Sequence, residues 1–176
     1  KPESNYGSMK AACESFISSY SNKNSLKSFI FRFPNVVGAN LTHGVIYDLS
    51  KKILTNRKHL DVLGNGHQCK PYSDVSEIIN CMIFLKEKKN NQLINFYNIG
   101  SNDKGIKVKK IVELLIKKFR YNKKVKYQKQ KFGWPGDILK YKYSTLKMKK
   151  AGFEFKLSSK EAIEKTINSI SKNHLK

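Results

Sequence analysis

Long apolar stretches are absent from this 176-residue sequence. No run approaches the roughly 18 apolar residues needed to cross a bilayer, and no signal peptide is recognisable, so no membrane partner is predicted. Hydrophobic residues still make up 39% of the chain and are spread along it. This excludes a disordered tail and indicates one domain with a real core and room for a small appendage. Because the sequence begins with Lys1 rather than methionine, we expect a processed, truncated or partial chain.

Cysteine and histidine are few and scattered. The three cysteines are odd in number and lack the paired spacing of a zinc site, and the four histidines stand apart from one another. We therefore predict no metal site, and we expect reduced thiols in a cytoplasmic protein.

Acidic residues and arginine are scarce, whereas lysine is abundant. The chain has 35 lysines and arginines against 13 acidic residues, which gives a net charge of +22. A charge of this size first suggests nucleic acid. However, arginine is preferred for bidentate phosphate and guanine contacts, and the lysines are scattered as on a solvated surface. We expect no nucleic-acid partner, although a non-catalytic, lysine-rich module that binds anions or nucleic acid stays open as an alternative.

Apolar residues recur alternately at the spacing of helices and of strands. Helices are predicted at residues 8–20, 44–55, 74–85, 107–119, 144–150 and 158–170, the first of them amphipathic. Strands are predicted at residues 27–33, 95–99 and 125–127, with a tight turn at residues 63–66. Strands that alternate with helices indicate an α/β protein. The lower strand content after Gly100 predicts a small, more helical lobe.

Tyr6 and Lys10 stand four residues apart near the start of the first predicted helix. At this spacing both side chains lie on one face of a helix. An ammonium near a phenol stabilises the phenolate, and a tyrosine with a lowered pKa is a general base for a sugar hydroxyl. In a lysine-rich chain this spacing alone is weak evidence of a catalytic pair.

Six segments, in order, resemble motifs of extended short-chain dehydrogenases, specifically the NAD-dependent epimerase/dehydratase family and its UDP-glucose 4-epimerase-like members. Residues 5–14 resemble the Tyr-Gly-x-Ser-Lys-x-x-x-Glu helix, and residues 32–38 the Arg-x-x-Asn-x-x-Gly segment that follows the next strand. Residues 43–48 look like a helix start, residues 62–72 resemble a Gly-Asp-Gly hairpin, and residues 97–100 a Tyr-Asn-Ile-Gly strand. Residues 133–137 match a Gly-Trp-x-Gly-Asp segment.

The resemblance implies a fold and a division of the chain. The fold would be the C-terminal part of an NAD-binding Rossmann-like domain plus a small mixed α/β substrate-binding lobe. Residues 1–100 would belong to the Rossmann-like domain, with substrate-binding segments interleaved at about residues 36–72. Residues 101–176 would form most of the lobe and the C-terminal helices. A homodimer is also implied, through a two-helix face that includes the helix of Tyr6.

The resemblance also implies roles in binding NAD and a nucleotide sugar. Tyr6 would be the general acid/base, and Lys10 would bind the nicotinamide ribose and keep the tyrosine ionised. Phe33 and Pro34 would lie beside the nicotinamide. The residues implied to bind the nucleotide sugar are Asn35 and Lys70 at the diphosphate and Asp137 over the nucleotide. The activity would be oxidation of the sugar at C4 followed by return of the hydride, as in an epimerase.

Several positions depart from the family pattern or admit simpler explanations. Met9 replaces the serine before the catalytic lysine, Phe132 replaces an arginine, and Cys69 replaces a basic residue of some relatives. No Gly-x-x-Gly-x-x-Gly loop for the NAD pyrophosphate is present, so these residues alone are not expected to hold NAD well. Glu14 is most simply a residue of the helix surface or a structural hydrogen-bond residue. The sequence does not separate the epimerase from a nucleotide-sugar 4,6-dehydratase.

Overall fold

The computed structural model describes residues 2, 4–55, 58–133, 141 and 143–170. Its helices are α1 (Asn5–Asn24), α2 (Val45–Leu54), α3 (Val75–Glu87), α4 (Val108–Phe119), α5 (Leu146–Lys150) and α6 (Ser159–Ser169). Its strands are β1 (Ser28–Arg32), β2 (Asn35–Val37), β3 (His59–Val62), β4 (Cys69–Lys70), β5 (Tyr72–Asp74), β6 (Ile94–Asn98), β7 (Ile106–Lys107) and β8 (Lys124–Tyr127).

The six predicted helices and three predicted strands are confirmed to within a few residues at their ends. Local signals explain the agreement. The Ser158 side chain accepts a hydrogen bond from the backbone of Glu161, whose carboxylate accepts one in return from the backbone of Ser158, forming a capping box at the start of α6. Gly152, with φ of 100°, lies just beyond the end of α5.

The first helix forms as predicted, but the prediction that it is amphipathic is wrong. In α1 only Ser21 is buried. The apolar residues of the helix that are exposed are Tyr6, Met9, Phe16, Ile17 and Tyr20. Apolar and polar side chains are not segregated to opposite sides of α1, and no described element covers the exposed apolar ones.

The strands pair in twos, mostly between distant parts of the chain. Parallel pairs join β1 with β6, β2 with β5, and β3 with β8, and an antiparallel pair joins β4 with β7. The hairpin expected at residues 62–72 is therefore a wrong prediction, because the strands on either side of the turn bond to other partners. Gly64 and Gly66 do take positive φ values of 73° and 79° there, so the chain turns without closing a hairpin.

Two apolar clusters fill the interior, and each draws on both halves of the sequence. The first lies among α2, β3, α4 and α6, with Leu60, Ile111 and Ile163 fully enclosed. The second lies between β6, α3 and α5, with Leu85 and Met148 at its centre. Burial of this apolar area is the main stabilising contribution to such a fold. The division of the chain at residue 100 stays a prediction.

None of the helices in the described ranges combines the length and the apolar character that crossing a bilayer requires.

Candidate functional site

A cavity of about 450 Å³ opens where β2, α2, β4 and the start of α4 meet. Its polar lining side chains are Asn35, His43, Asp48, Lys52, Gln68 and Lys70. Its apolar wall includes Val37, Ile46, Leu49 and Val62, which belong to the first apolar cluster. A concave site with an apolar wall and a few convergent polar groups is the usual form of a small-molecule site.

Asn35 is the first residue of β2, directly after Pro34, and it lines the cavity. In the pairing of β2 with β5, Asn35 lies opposite Tyr72. The side-chain nitrogen Nδ2 of Asn35 donates a hydrogen bond to the carbonyl oxygen of Pro71, at 3.3 Å. This bond fixes the amide at the rim of the strand pair, and the second N–H of Nδ2 is left to donate to another acceptor.

Lys70 enters the same cavity from β4, where it pairs with Ile106 of β7. The backbone of the two strands approaches closely at Gly105, which has φ of 77°. A Cβ atom on Gly105 would lie 2.5 Å from the carbonyl carbon and oxygen of Lys70. Glycine is therefore required there, and the close approach fixes where the backbone of Lys70 lies.

The acidic and basic groups of the cavity wall are unevenly distributed. Asp48 and Lys52 follow each other by one turn on α2, and Nζ of Lys52 donates a hydrogen bond to the carbonyl oxygen of Asp61, at 2.8 Å. Lys70 lines the same cavity from β4. Among the described lining residues, two lysines and one aspartate give the wall a net positive charge, which attracts an anion.

Tyr6 and Lys10 lie on one face of α1, as their spacing predicts. Nζ of Lys10 is 5.4 Å from the centroid of the Tyr6 ring, and 66% of Tyr6 is exposed. Within the described chain neither residue lines the cavity, so the structure does not bring them together with Asn35 and Lys70.

An ion pair fastens α1 to the end of β1. Arg32 donates to both carboxylate oxygens of Glu14, with 2.7 Å between Nε and Oε1. The hydrogen bond from Arg32 holds the pKa of Glu14 below its ordinary value. Glu14 thus has the structural hydrogen-bonding position expected from the sequence. The pair places the helix of Tyr6 against the strand that leads into Phe33 and Pro34.

Phe33 and Pro34 differ in their surroundings. Phe33 is exposed, whereas Pro34 is buried against Gly100 at the end of β6. Burial raises the pKa of Tyr143, whose hydroxyl donates a hydrogen bond to the carbonyl oxygen of Ser101, at 2.8 Å. Asp137, which the sequence analysis assigned to the nucleotide, lies outside the described residues.

Sequence reasoning missed Gln68, Asp48 and Lys52 as lining residues. Asp48 and Lys52 occupy polar positions of a helix, where solvent is the ordinary expectation. Gln68 stands two residues before Lys70, which puts both side chains on one side of an extended segment. That spacing was the available signal.

Comparison with known proteins identifies the family. Residues 1–100 match the model of the NAD dependent epimerase/dehydratase family. The chain is 24% identical over 174 residues to human dTDP-D-glucose 4,6-dehydratase, covering 95% of this chain and 48% of that protein. The crystal structure of a UDP-galactose 4-epimerase is 28% identical with a TM-score of 0.83, and the match covers 96% of this chain and 54% of the other.

A further solved structure is UDP-glucose 4-epimerase of Thermus thermophilus in complex with NAD, which is 22% identical with a TM-score of 0.77. That match covers 96% of this chain and 54% of the other. The chain thus spans about half the length of the relatives that it matches. The α/β class and the partial Rossmann-like fold are confirmed by these matches, and the family is NAD-dependent. The family model covers more than half of the chain, which therefore belongs to the NAD dependent epimerase/dehydratase family.

Proposed function

We propose that the cavity binds the diphosphate of a nucleotide sugar through Asn35 and Lys70. The observation that carries this proposal is the meeting of these two side chains, 35 positions apart in sequence, in one cavity. A lysine ammonium is a serviceable point-charge partner for phosphate, and the second N–H of the asparagine amide can donate to a phosphate oxygen. The cavity volume also falls within the range of small-molecule sites, roughly 300–1,000 Å³.

Titration calorimetry of the chain with UDP-glucose tests this binding role. Because hydrogen bonds to charged groups contribute about 1.5–3 kcal/mol, Lys70→Met should weaken UDP-glucose binding by roughly 10- to 100-fold. The matched control is Lys86→Met, which removes an equal charge from an exposed position on α3. Equal losses from the two variants would show that only overall charge matters and would contradict the proposal.

We propose further that the complete protein is a nucleotide-sugar 4-epimerase in which Tyr6 is the acid/base. The described residues fit the nicotinamide end of NAD, because α1 presents an exposed phenol with an ammonium on the same face. Lys10 would bind the nicotinamide ribose, with Phe33 and Pro34 beside the ring. When bound, NAD supplies a hydride acceptor that later returns the hydride.

The protein's own contribution is then a proton transfer and its reversal. The phenolate oxygen of Tyr6 accepts the proton of the C4 hydroxyl while the C4–H bond breaks, and gives it back when the C–H bond forms again. Lys10, one helical turn from Tyr6 on the same face of α1, would hold the ribose next to the phenol. Return of the hydride to the opposite face of the sugar carbon inverts its configuration. Asp137 stays a proposed residue of the nucleotide site.

Conversion of UDP-glucose to UDP-galactose by the complete protein tests the catalytic proposal. Tyr6→Phe keeps the ring and removes the hydroxyl, so the rate should fall by about 10²- to 10⁴-fold. Tyr20→Phe makes the same change at another exposed position of α1 and should leave the rate unchanged. Full activity of Tyr6→Phe would rule out the proposed role of this tyrosine.

A nucleotide-sugar 4,6-dehydratase is the second candidate, and the similarity to the human dehydratase favours it. Such an enzyme removes water after the same oxidation at C4 and therefore needs a further acid/base pair. Incubation with dTDP-glucose distinguishes the two activities, because a dehydratase releases a 4-keto-6-deoxy sugar and an epimerase does not.

A homodimer formed through α1 is also proposed. Its support is the exposed apolar surface of the helix, which includes Met9, Phe16 and Ile17. Exposed apolar clusters of this kind often mark protein interfaces. Light scattering on the complete protein should give twice the chain mass, and Phe16→Asp should shift the mass to that of a monomer. A monomeric wild-type protein would contradict the proposed assembly.

A further inference from the structure

Gln68 lies in the cavity wall, and its side-chain carbonyl oxygen has no hydrogen-bond partner among the described residues. The residue is 3% exposed, and its Nε2 donates a hydrogen bond to the carbonyl oxygen of Leu63, at 3.4 Å. Among the residues that the structure describes, none donates a hydrogen bond to Oε1, and less than 1 Å² of this atom is accessible. A buried carbonyl without a partner destabilises the folded chain.

The surrounding backbone holds this side chain in place. A Cβ atom on Gly64 would lie 1.9 Å from Nε2 of Gln68, so the amide packs directly on the glycine backbone. The main-chain oxygen of Gln68 accepts a hydrogen bond from the backbone nitrogen of Val108, at 3.0 Å. Exchange of the amide nitrogen and oxygen would set two carbonyl oxygens against each other at Leu63, so Oε1 is the atom left without a donor.

We propose that Oε1 of Gln68 accepts a hydrogen bond from an N–H or O–H group of the ligand in the cavity. This inference rests on the proposed nucleotide-sugar site. At neutral pH a diphosphate carries acceptors and essentially no donor, so it cannot satisfy a carbonyl oxygen. The donor is therefore on the organic part next to the diphosphate, either the nucleoside or the hexose. Since Oε1 is closed to water, binding includes a small outward shift of the turn at residues 63–66.

Gln68→Met separates ligand recognition from a structural role. Methionine has nearly the same length but no carbonyl, so it removes the unpaired buried group. The melting temperature should stay unchanged or rise, while UDP-glucose affinity should fall by roughly tenfold, the size of one buried hydrogen bond. Affinity for inorganic pyrophosphate, which lacks both the nucleoside and the hexose, should stay the same. This combination of results is not expected from a residue that only stabilises the fold.

Gln128→Met is the matched control. Oε1 of Gln128 accepts a hydrogen bond from the backbone nitrogen of Gly64, at 3.2 Å, from the exposed side of the same turn. This variant disturbs the turn without removing a carbonyl from the cavity. UDP-glucose affinity should therefore stay within about twofold of the wild type, a change smaller than the loss of one hydrogen bond would cause. An equal loss in both variants would assign the effect to the turn and overturn the proposal.

The ligand series locates the donor and completes the test. A loss shared by UDP and UDP-glucose in Gln68→Met places the donor on the nucleoside, and a loss confined to UDP-glucose places it on the hexose; both support the proposal. Unchanged affinity for both, or a parallel loss for pyrophosphate, overturns it. Should the variant fail to fold, the side-chain amide resonances of wild-type Gln68 must shift with UDP-glucose and not with pyrophosphate. A wild-type chain that does not bind UDP-glucose overturns the proposed function as well.

Discussion

Asp74 at the start of α3 forms an ion pair with Lys165 of α6, with 3.0 Å between Oδ1 and Nζ. The carboxylate is also the N-cap of α3, because it accepts hydrogen bonds from the backbone nitrogen and the hydroxyl of Ser76. Only 2% of its side chain is exposed. Burial raises the pKa of Asp74. The hydrogen bonds from Ser76 and Lys165 lower it by more than burial raises it, so the pKa lies below its ordinary value.

This relationship predicts a pH-dependent contribution to stability. In the unfolded chain the pKa of an aspartate is about 3.9. A carboxyl whose pKa is lower than this in the folded chain stabilises the fold at pH values above the unfolded pKa. This contribution is lost as the pH falls through the folded pKa. Asp74→Asn keeps a helix cap but removes the charge, and should lower the free energy of unfolding at pH 7 by about 1–3 kcal/mol. Urea unfolding at pH 7 and at pH 3 measures the change, which should shrink at the lower pH.

Glu164→Gln is the control for that experiment. It disrupts an exposed ion pair on α6, in which Nζ of Lys160 lies 3.8 Å from Oε1 of Glu164. Exposed pairs of this kind contribute little, so this variant should change stability by less than about 0.5 kcal/mol at either pH. A pH-independent loss in Asp74→Asn would mean that packing, and not charge, explains the effect.

Gly100→Ala should destabilise the fold at the end of β6. Gly100 has φ of 138°, and a Cβ atom there would lie 2.6 Å from Cδ of Pro34 and from Oη of Tyr143. Backbone strain and overpacking each cost roughly 1–3 kcal/mol, so a loss of about 2–5 kcal/mol in the free energy of unfolding is expected. Chemical denaturation provides the measurement.

Gly44→Ala separates the two causes of that loss. Gly44 has φ of 91°, but a Cβ atom there would meet nothing within 4 Å. The variant therefore reports strain alone and should lose only about 1–2 kcal/mol. If both variants lost the same amount, the contact with Pro34 would contribute nothing.

The helices and the outer strands of the fold were predictable because their signals are local. Periodic apolar residues and a capping box define α4 and α6 without reference to the rest of the chain. The strands β2, β4, β5 and β7 were missed because two or three residues carry no readable alternation. The four-residue strand β3 was also missed. Their pairing partners also lie far away in sequence, as β2 pairs with β5.

The candidate site was predictable only in part, for the same reason. Asn35 and Lys70 were named by resemblance, and their meeting in one cavity depends on strand pairings that no local pattern specifies. The exposure of α1 was not predicted, because periodicity does not say whether another element covers a helix. Gln68 was missed because its only signal is its position two residues before Lys70, a spacing that any short extended segment shares.

The three cysteines should differ sharply in reactivity towards iodoacetamide. Cys81 is fully buried, and burial raises the pKa of its thiol to about 12, so almost no thiolate forms at pH 8. Cys13 is exposed on α1, and Cys69 is partly buried. Mass spectrometry after brief labelling of the native chain should find Cys13 modified first and Cys81 unmodified. Labelling in urea should modify all three, whereas native labelling of Cys81 would show that its cluster opens.

The pair between Glu14 and Arg32 is the contact expected to hold α1, and with it Tyr6, against β1. Glu14→Gln should loosen the helix and accelerate amide hydrogen exchange in α1 by roughly two- to fivefold, because partly exposed pairs contribute about 0.2–1 kcal/mol. The pKa of Glu14 is lowered by the hydrogen bond from Arg32, so the wild-type protection should weaken towards that of the variant as the pH falls through this lowered pKa.

Glu154→Gln is the control. It breaks an ion pair in which Oε1 of Glu154 lies 2.8 Å from Nζ of Lys149. This pair is far from α1 in sequence, so amide hydrogen exchange in α1 should stay unchanged. If Glu14→Gln also left it unchanged, the packing of α1 on β1 and β6 would be enough to hold the helix. The position of Tyr6 would then depend on apolar contact rather than on charge. If exchange does accelerate, Glu14 is a positioning residue for the proposed acid/base, and its substitution should slow catalysis without weakening the binding of UDP-glucose in the cavity.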